Sequence, residues 1–261
     1  MKAIIQLSVL LLLFGGAWFG LSRIDFVERF RLYDISNKTE QKIGDAIVKT
    51  IKQTEHMIAD DSTTAVITKI TNKLLFANRN IPHATIIHLV KSKEINAFAL
   101  PGNHIIVYTG LIEHCDSAQE LCGVLAHEMA HIELRHVMKR LAGEVGIAVL
   151  ASATTGNSQV INGILKTLSS TAFERSQESA ADEAAVKYLV HAQINPAGFA
   201  GFMHKIDTLI AQPEIMEWIS THPNSKARAE AINQLTANIR QTYMPVVDFA
   251  DWKLLKRAAG Q

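Results

Sequence analysis

Isoleucines at 43, 47, 51 and 58 return at close to helical spacing, with polar residues between them. The spacing predicts an amphipathic helix beginning near residue 37. Asn37-Lys38-Thr39-Glu40 has capping-box spacing, with Asn37 in the cap position. Asp60-Asp61-Ser62 breaks the run and caps a second helix through Val66, Ile70, Leu74 and Leu75. The two helices read as an amphipathic pair that serves as scaffold. The period then changes. Residues 85–90, 95–100 and 105–109 are short runs rich in β-branched side chains. Lys91-Ser92-Lys93-Glu94 and Pro101-Gly102-Asn103 supply the turns between them. This pattern predicts a small three-stranded sheet.

Beyond Thr109 the chain reads as helical almost to its end. Asp116 caps a long helix through Leu121, Leu125, His127 and His131. Residues 143–156 are apolar and rich in small side chains. They are too few to span a membrane but suit a segment that touches one or covers an active site. Helices follow around 161–168 and 177–191. Asn195-Pro196 starts another, carrying Phe199, Phe202 and Ile206. Pro213 and Pro223 punctuate the end, and residues 224–239 read as the last helix. The expected fold class is mainly α with a small β-sheet (α+β).

The amino terminus departs from this pattern. Residues 3–21 are nearly all apolar, interrupted only by Gln6 and Ser8. That is about the length of a membrane-crossing helix and longer than the usual core of a cleaved signal peptide. Without a cysteine, the segment excludes a bacterial lipoprotein anchor. Lys2 precedes it and Arg23, Arg29 and Arg31 follow, a distribution that does not favour export. The expected organisation is a signal peptide or membrane anchor at 1–23 and a linker at 24–36. A catalytic domain over 37–243 and a tail at 244–261 complete it.

Hydrophobic residues make up 48% of the chain and charged residues 20%, which excludes global disorder. A net charge of +1 with no dense basic stretch leaves no electrostatic footprint for nucleic acid. Cys115 and Cys122 are the only cysteines. Two thiols are enough for one disulfide but do not fix a redox compartment.

The chemistry concentrates at His127-Glu128-Met129-Ala130-His131, an HExxH motif. On a helix, positions i and i+4 share a face, so two imidazoles can reach one tetrahedral metal at about 2.0–2.1 Å. Glu128 sits about a third of a turn round, placed to miss the metal yet take a proton from a water on it. Gly123, Ala126 and Ala130 let another element approach this helix closely. A catalytic zinc needs a third protein ligand and one open position. Glu178 and Asp182 lie four residues apart on a later helix. Glu178 is the candidate ligand, and Asp182 is placed to hydrogen-bond the free ring nitrogen of a ligand histidine. His136 lies five residues past His131, roughly 140° round a continuous helix. It is expected to miss the metal, as a surface residue or one that supports a ligand. His114, just before the helix cap, carries no signal.

Four motifs together resemble the M48 family of zinc metallopeptidases. They are Asn96-Ala97-Phe98-Ala99-Leu100-Pro101-Gly102, the HExxH segment, Arg175-x-x-Glu178-x-x-Ala181-Asp182, and Thr221-His222-Pro223 with Arg228 beyond. The likeness covers roughly residues 40–240 and implies a zincin-like fold and endopeptidase activity. It implies one zinc ion per chain, held by His127, His131 and Glu178, with Glu128 catalytic. Asn96, Ala97 and Phe98 fall on the strand beside the cleft, where a substrate peptide can add as an extra strand. His222 and Arg228 match residues over the cleft, suited to bind substrate or polarise the oxyanion, and His222 also to occlude the metal at rest. Asn103 stands where the family often has a second glycine, and Ala180 replaces a common acidic residue.

With one apolar segment, the chain resembles singly anchored or exported bacterial members, not many-pass prenyl proteases. The expected substrate is a polypeptide, membrane-associated or misfolded, in a bacterial cell envelope. The membrane is the other expected partner, through residues 3–21 if they are retained. Two rivals stand beside this reading. One is a membrane-tethered chaperone or assembly factor with a structural zinc site. The other is a helical protein with a coincidental motif.

Overall fold

The computed structural model describes residues 35–82, 84–209 and 212–260, with residues 6, 11–16, 18 and 19 near the amino terminus. Most of the apolar segment 3–21 and of the linker 24–36 lies outside the described residues. Among those described, no helix is long and apolar enough to cross a membrane.

The first helix, α1 (Asn37–Thr54), buries Ile43, Ile47 and Ile51. Its cap is Ser36, not Asn37: the Ser36 hydroxyl accepts from the Thr39 N–H at 3.2 Å. The helix stops at Glu55, whose backbone is extended. Ile58, in phase with the helical isoleucines, belongs instead to a two-residue strand, β1 (Met57–Ile58). Asp60 caps α2 (Asp61–Ala77) as expected, accepting from the Thr63 N–H at 2.8 Å.

The sheet has four strands, in the order β1-β2-β4-β3. β2 (Ile86–Val90), β3 (Ala97–Leu100) and β4 (His104–Tyr108) match the three expected runs closely. β4 runs parallel to β2 and antiparallel to β3, while β1 pairs antiparallel with β2. β3 is therefore an edge strand. The turn between β3 and β4 puts Gly102 at φ 74° and Asn103 at φ 63°. Asn is the side chain that best tolerates this left-handed region after Gly, so Asn103 can stand where the M48 pattern favours glycine. α1 packs on this turn, whereas α2 packs on later helices. The two helices are each amphipathic but bury their faces against different partners, not as a pair.

After the short α3 (Thr109–His114) comes α4 (Ala118–Glu133), the central helix. Its cap is Ser117, not Asp116; the Asp116 carboxylate instead pairs with Lys205 at 2.5 Å. Every residue of α4 from Glu120 to Ile132 is buried, so it is enclosed on all sides. α5 (His136–Glu144), α6 (Ile147–Ala153) and α7 (Ser158–Ser170) follow, and α7 packs on β3. α8 (Arg175–His191) and α9 (Ala197–Thr208) flank α4. The short α10 (Met216–Thr221) leads to α11 (Ser225–Thr236), which packs on α8 and α9.

α11 is not the last helix. Residues 249–259 of the expected tail form α12 (Phe249–Ala259), capped by Asp248 and packed on α2 and α3. Its Lys256 ammonium donates to the carbonyls of Glu113 and Cys115 at 2.6 and 3.0 Å, closing the end of α3. Cys115 and Cys122 are free and fully buried, with no disulfide between them. Burial pushes the Cys122 thiol up to about 12, which leaves it unreactive.

Candidate active site

α4 places His127 and His131 one turn apart, with both rings facing α8 and the loop after α10. Their Nε2 atoms lie 3.0 Å from each other. Glu178, in the first turn of α8, brings Oε1 to 3.2 Å from His131 Nε2, and its Oε2 lies 3.7 Å from His127 Nε2. His222, which ends α10, adds Nδ1 at 3.0 Å from Glu178 Oε1 and 3.4 Å from His127 Nε2. The four ligand atoms lie within 4.8 Å of one another, and all four side chains are buried.

A second layer fixes this set. Asp182 Oδ1 lies 3.0 Å from His127 Nδ1, one turn along α8 from Glu178. It accepts the Nδ1 proton and leaves the Nε2 lone pair facing the other donors. Arg228, on α11, donates Nε and Nη2 to Asp182 at 2.8 and 2.7 Å and pairs through Nη1 with Glu178. The expectation placed Arg228 over the cleft. Here it is buried beside the two carboxylates that support the histidines, with Nη1 in an ion pair to Glu178 but without a hydrogen bond. Of the two expectations for His136, a surface residue or a support for a ligand, the structure shows the second. His136 is buried, with Nδ1 3.0 Å from His131 Nδ1. The helix breaks between them, at Arg135 with φ 62°, so the continuous-helix rotation does not apply.

Glu128 points the other way round α4. Its Oε2 accepts from the Ala99 N–H on β3 at 2.9 Å, while Oε1 is buried without a hydrogen-bond partner, 3.6 Å from His222 Nε2. Asn96, Ala97 and Phe98 are all buried. The Asn96 carbonyl accepts from the Tyr108 N–H and so faces β4. By strand alternation the backbone groups of Ala97 turn to the open side of β3, as does the Ala99 N–H. Gly123 admits α9 beneath the site: a Cβ there would lie 2.4 Å from Phe199 Cβ, and the Phe199 ring lies 5.8 Å from that of His127.

The electrostatics of His131 and Glu178 suit a cation held by imidazole and ionised carboxylate. Burial and the neighbouring His127 hold His131 well below its ordinary value, so its ring is neutral. Burial alone would raise Glu178, but His222 and Arg228 beside it outweigh burial and hold the carboxyl far below the usual range. Asp182 is lowered the same way, with Arg228 outweighing burial. Glu128 is raised, because burial dominates there.

The sequence profile of peptidase family M48 matches residues 61–236. The chain belongs to peptidase family M48. The mitochondrial metalloendopeptidase OMA1 of Bos taurus is 26% identical over 206 residues, which cover 70% of this M48 chain and 39% of the relative. The beta-barrel assembly-enhancing protease of Yersinia pestis is 26% identical over 211 residues, or 74% of this chain and 43% of the relative. The mitochondrial metalloendopeptidase OMA1 of Schizosaccharomyces pombe is 23% identical over 234 residues, covering 85% and 69%. The M48 chain thus spans less than half the length of the bovine and Yersinia relatives.

M48 membership implies a metal, and the donor set fits one. Around a tetrahedral zinc with bonds of about 2.0–2.1 Å, donors lie roughly 3.4 Å apart. Four of the six separations here are 3.0, 3.2, 3.0 and 3.4 Å, and all six lie within 4.8 Å. The combination of imidazole and carboxylate donors suits zinc. Beside this M48 centre, a cavity of about 540 Å³ opens between α8 and α11 onto Glu178, Asp182 and Arg228, with Ser179, Ala227 and Leu235 among its walls. Three side chains at the centre carried no sequence signal: Trp218, whose ring lies 4.6 Å from that of His222, Phe173, which stacks on His131, and Arg140, which stands against Phe173.

Proposed function

We propose that this chain is a zinc-dependent endopeptidase that hydrolyses peptide bonds in membrane-associated or misfolded polypeptides of a bacterial cell envelope. The observation that carries the reading is the convergence of His127, His131 and Glu178 from two helices, with an unpartnered Glu128 oxygen beside them. The names of the relatives, a metalloendopeptidase and a beta-barrel assembly-enhancing protease, support the activity and the substrate class.

A bound zinc would supply Lewis acidity, activating a water and polarising the scissile carbonyl. The chain's own residues do the rest. Asp182 fixes the His127 tautomer, and Arg228 keeps Glu178 and Asp182 ionised and in place. Within Asn96-Ala97-Phe98, the backbone groups of Ala97 offer the strand edge along which an extended substrate docks. Ala99 orients Glu128 through Oε2, leaving Oε1 to accept the proton of the attacking water and return it to the leaving amine. Burial raises Glu128 toward the range where a carboxyl both takes and gives a proton. Stabilising the oxyanion falls to Arg228, or to His222 once it leaves the donor set.

Glu128→Gln tests the assignment. The variant is expected to keep stoichiometric zinc and lose casein cleavage by on the order of 10²–10⁴. Cleavage at the unmodified rate would refute the base assignment, and a purified chain that takes up no zinc would refute the whole reading.

One observation favours a second reading. His222 stands where a fourth donor belongs, and structural zinc sites are closed by four protein donors. A membrane-tethered chaperone or assembly factor would need only that. Chelator-sensitive casein cleavage by the unmodified chain supports the peptidase; stable zinc with no cleavage supports the chaperone.

A further inference from the structure

Phe173 lies in the loop between α7 and α8, five residues before Glu178. Its ring stacks on the His131 imidazole, with centroids 3.8 Å apart and planes 18° from parallel. The Arg140 guanidinium carbon also lies 3.8 Å from the Phe173 centroid. Two groups that close cannot share one face, so Phe173 is held between Arg140 and His131. Arg140 is itself fixed, donating to the Thr171 carbonyl at 2.8 Å and the Leu168 carbonyl at 3.4 Å. The Phe173 N–H donates to the Thr221 carbonyl at 3.2 Å, one residue before His222.

An imidazole binds a metal along its ring plane. The His136 contact at Nδ1 fixes where the His131 edge points, but one hydrogen bond leaves the ring free to tilt about that axis. A flat aromatic face pressed on the ring removes the tilt. His136 and Arg140 are one turn apart on α5, so one short helix controls His131 both by its edge and, through Phe173, by its face. The cation–π contact is buried, where such pairs are strongest.

We propose that Phe173, backed by Arg140, is a positioning residue that sets the plane of His131 and ties it to the backbone leading into His222. The proposal rests on the reading of His127, His131 and Glu178 as a metal site.

The test measures zinc affinity of the purified full chain by competition with a chromogenic chelator, alongside thermal melting of the metal-free protein. Phe173→Leu is expected to bind zinc on the order of 10–100-fold more weakly, with a metal-free melting temperature close to that of the unmodified chain. Phe173→Tyr, which keeps the aromatic face, should restore the affinity. Arg140→Met, which keeps the stem and removes the cation, should weaken binding in the same direction and gives a second readout if Phe173→Leu does not fold. Affinity of Phe173→Leu within about threefold of the unmodified chain would overturn the proposal. So would equal weakening in Phe173→Leu and Phe173→Tyr, since packing bulk would then be the cause. If the unmodified chain takes up no zinc, it is the metal-site reading that fails.

Discussion

Asp182 Oδ1 lies 3.0 Å from His127 Nδ1, and the same carboxylate receives two hydrogen bonds from Arg228. One buried side chain thereby fixes a histidine tautomer and neutralises a buried guanidinium. Removing its charge disturbs both tasks, because Arg228 then faces Glu178 with half its compensation gone.

Asp182→Asn should therefore weaken metal binding while leaving all four ligand atoms in the chain. Outer-layer partners of this kind are worth on the order of 10–100-fold in metal affinity. Asp182→Ala should in addition destabilise the fold by about 3–5 kcal/mol, the cost of stranding one half of a buried ion pair. Zinc competition titrations and urea melts check the two effects separately. Unaltered zinc affinity in Asp182→Asn would remove Asp182 from the metal site.

Much of this site was legible because helices repeat. His127 with His131, and Glu178 with Asp182, are i and i+4 pairs, and that spacing alone fixes a shared face. For His136 the arithmetic rightly kept it out of the donor set but could not place it beside His131, since it assumes an unbroken helix and the backbone turns left-handed at Arg135. Ile58 misled for the opposite reason: it keeps helical phase with Ile51, but its backbone pairs with Leu89 in the sheet. Phe173 was invisible because a lone aromatic in a loop has no period, and its partners come from α4 and α5. The α12 signal was present in Asp248 followed by Trp252, Leu255 and Ala259, yet a helix that short near a chain end carries little weight against a tail.

Gly123 offers a test of the floor beneath the metal site. The sequence marked it as a point of close approach, and a Cβ there would meet Phe199 Cβ at 2.4 Å and Cα at 2.8 Å. Backbone that near cannot yield as a flexible side chain would. Gly123→Ala should cost about 1–3 kcal/mol by overpacking, less a helix-propensity gain of roughly 1 kcal/mol. Because His127 is one turn along on the same face, the shift of α9 should also weaken zinc binding. A urea midpoint at or above that of the unmodified chain would show that α9 moves aside freely.

β2 and β4 hold a second histidine pair. His88 Nε2 lies 3.0 Å from His104 Nδ1, and His104 Nε2 lies 3.3 Å from Asp45 on α1. Burial, with His104 and Lys52 adding to it, lowers His88 to about 4, and burial lowers His104 although Asp45 opposes it. Both rings are thus harder to protonate folded than unfolded, where histidine titrates near 6.5. Above that pH both states are neutral and the pair contributes no pH dependence. As pH falls from about 6.5 toward 4, the unfolded chain gains protons that the folded chain refuses, and stability is lost. The gap for His88 corresponds to at most about 3 kcal/mol, and its partial exposure reduces this to roughly 1–2 kcal/mol. His88→Gln should therefore flatten the stability profile between pH 6.5 and 4. Urea melts of both chains in the same chelator-containing buffer cancel the other histidines in the difference. Parallel profiles across that interval would mean that His88 is protonated as readily in the folded chain as in the unfolded one.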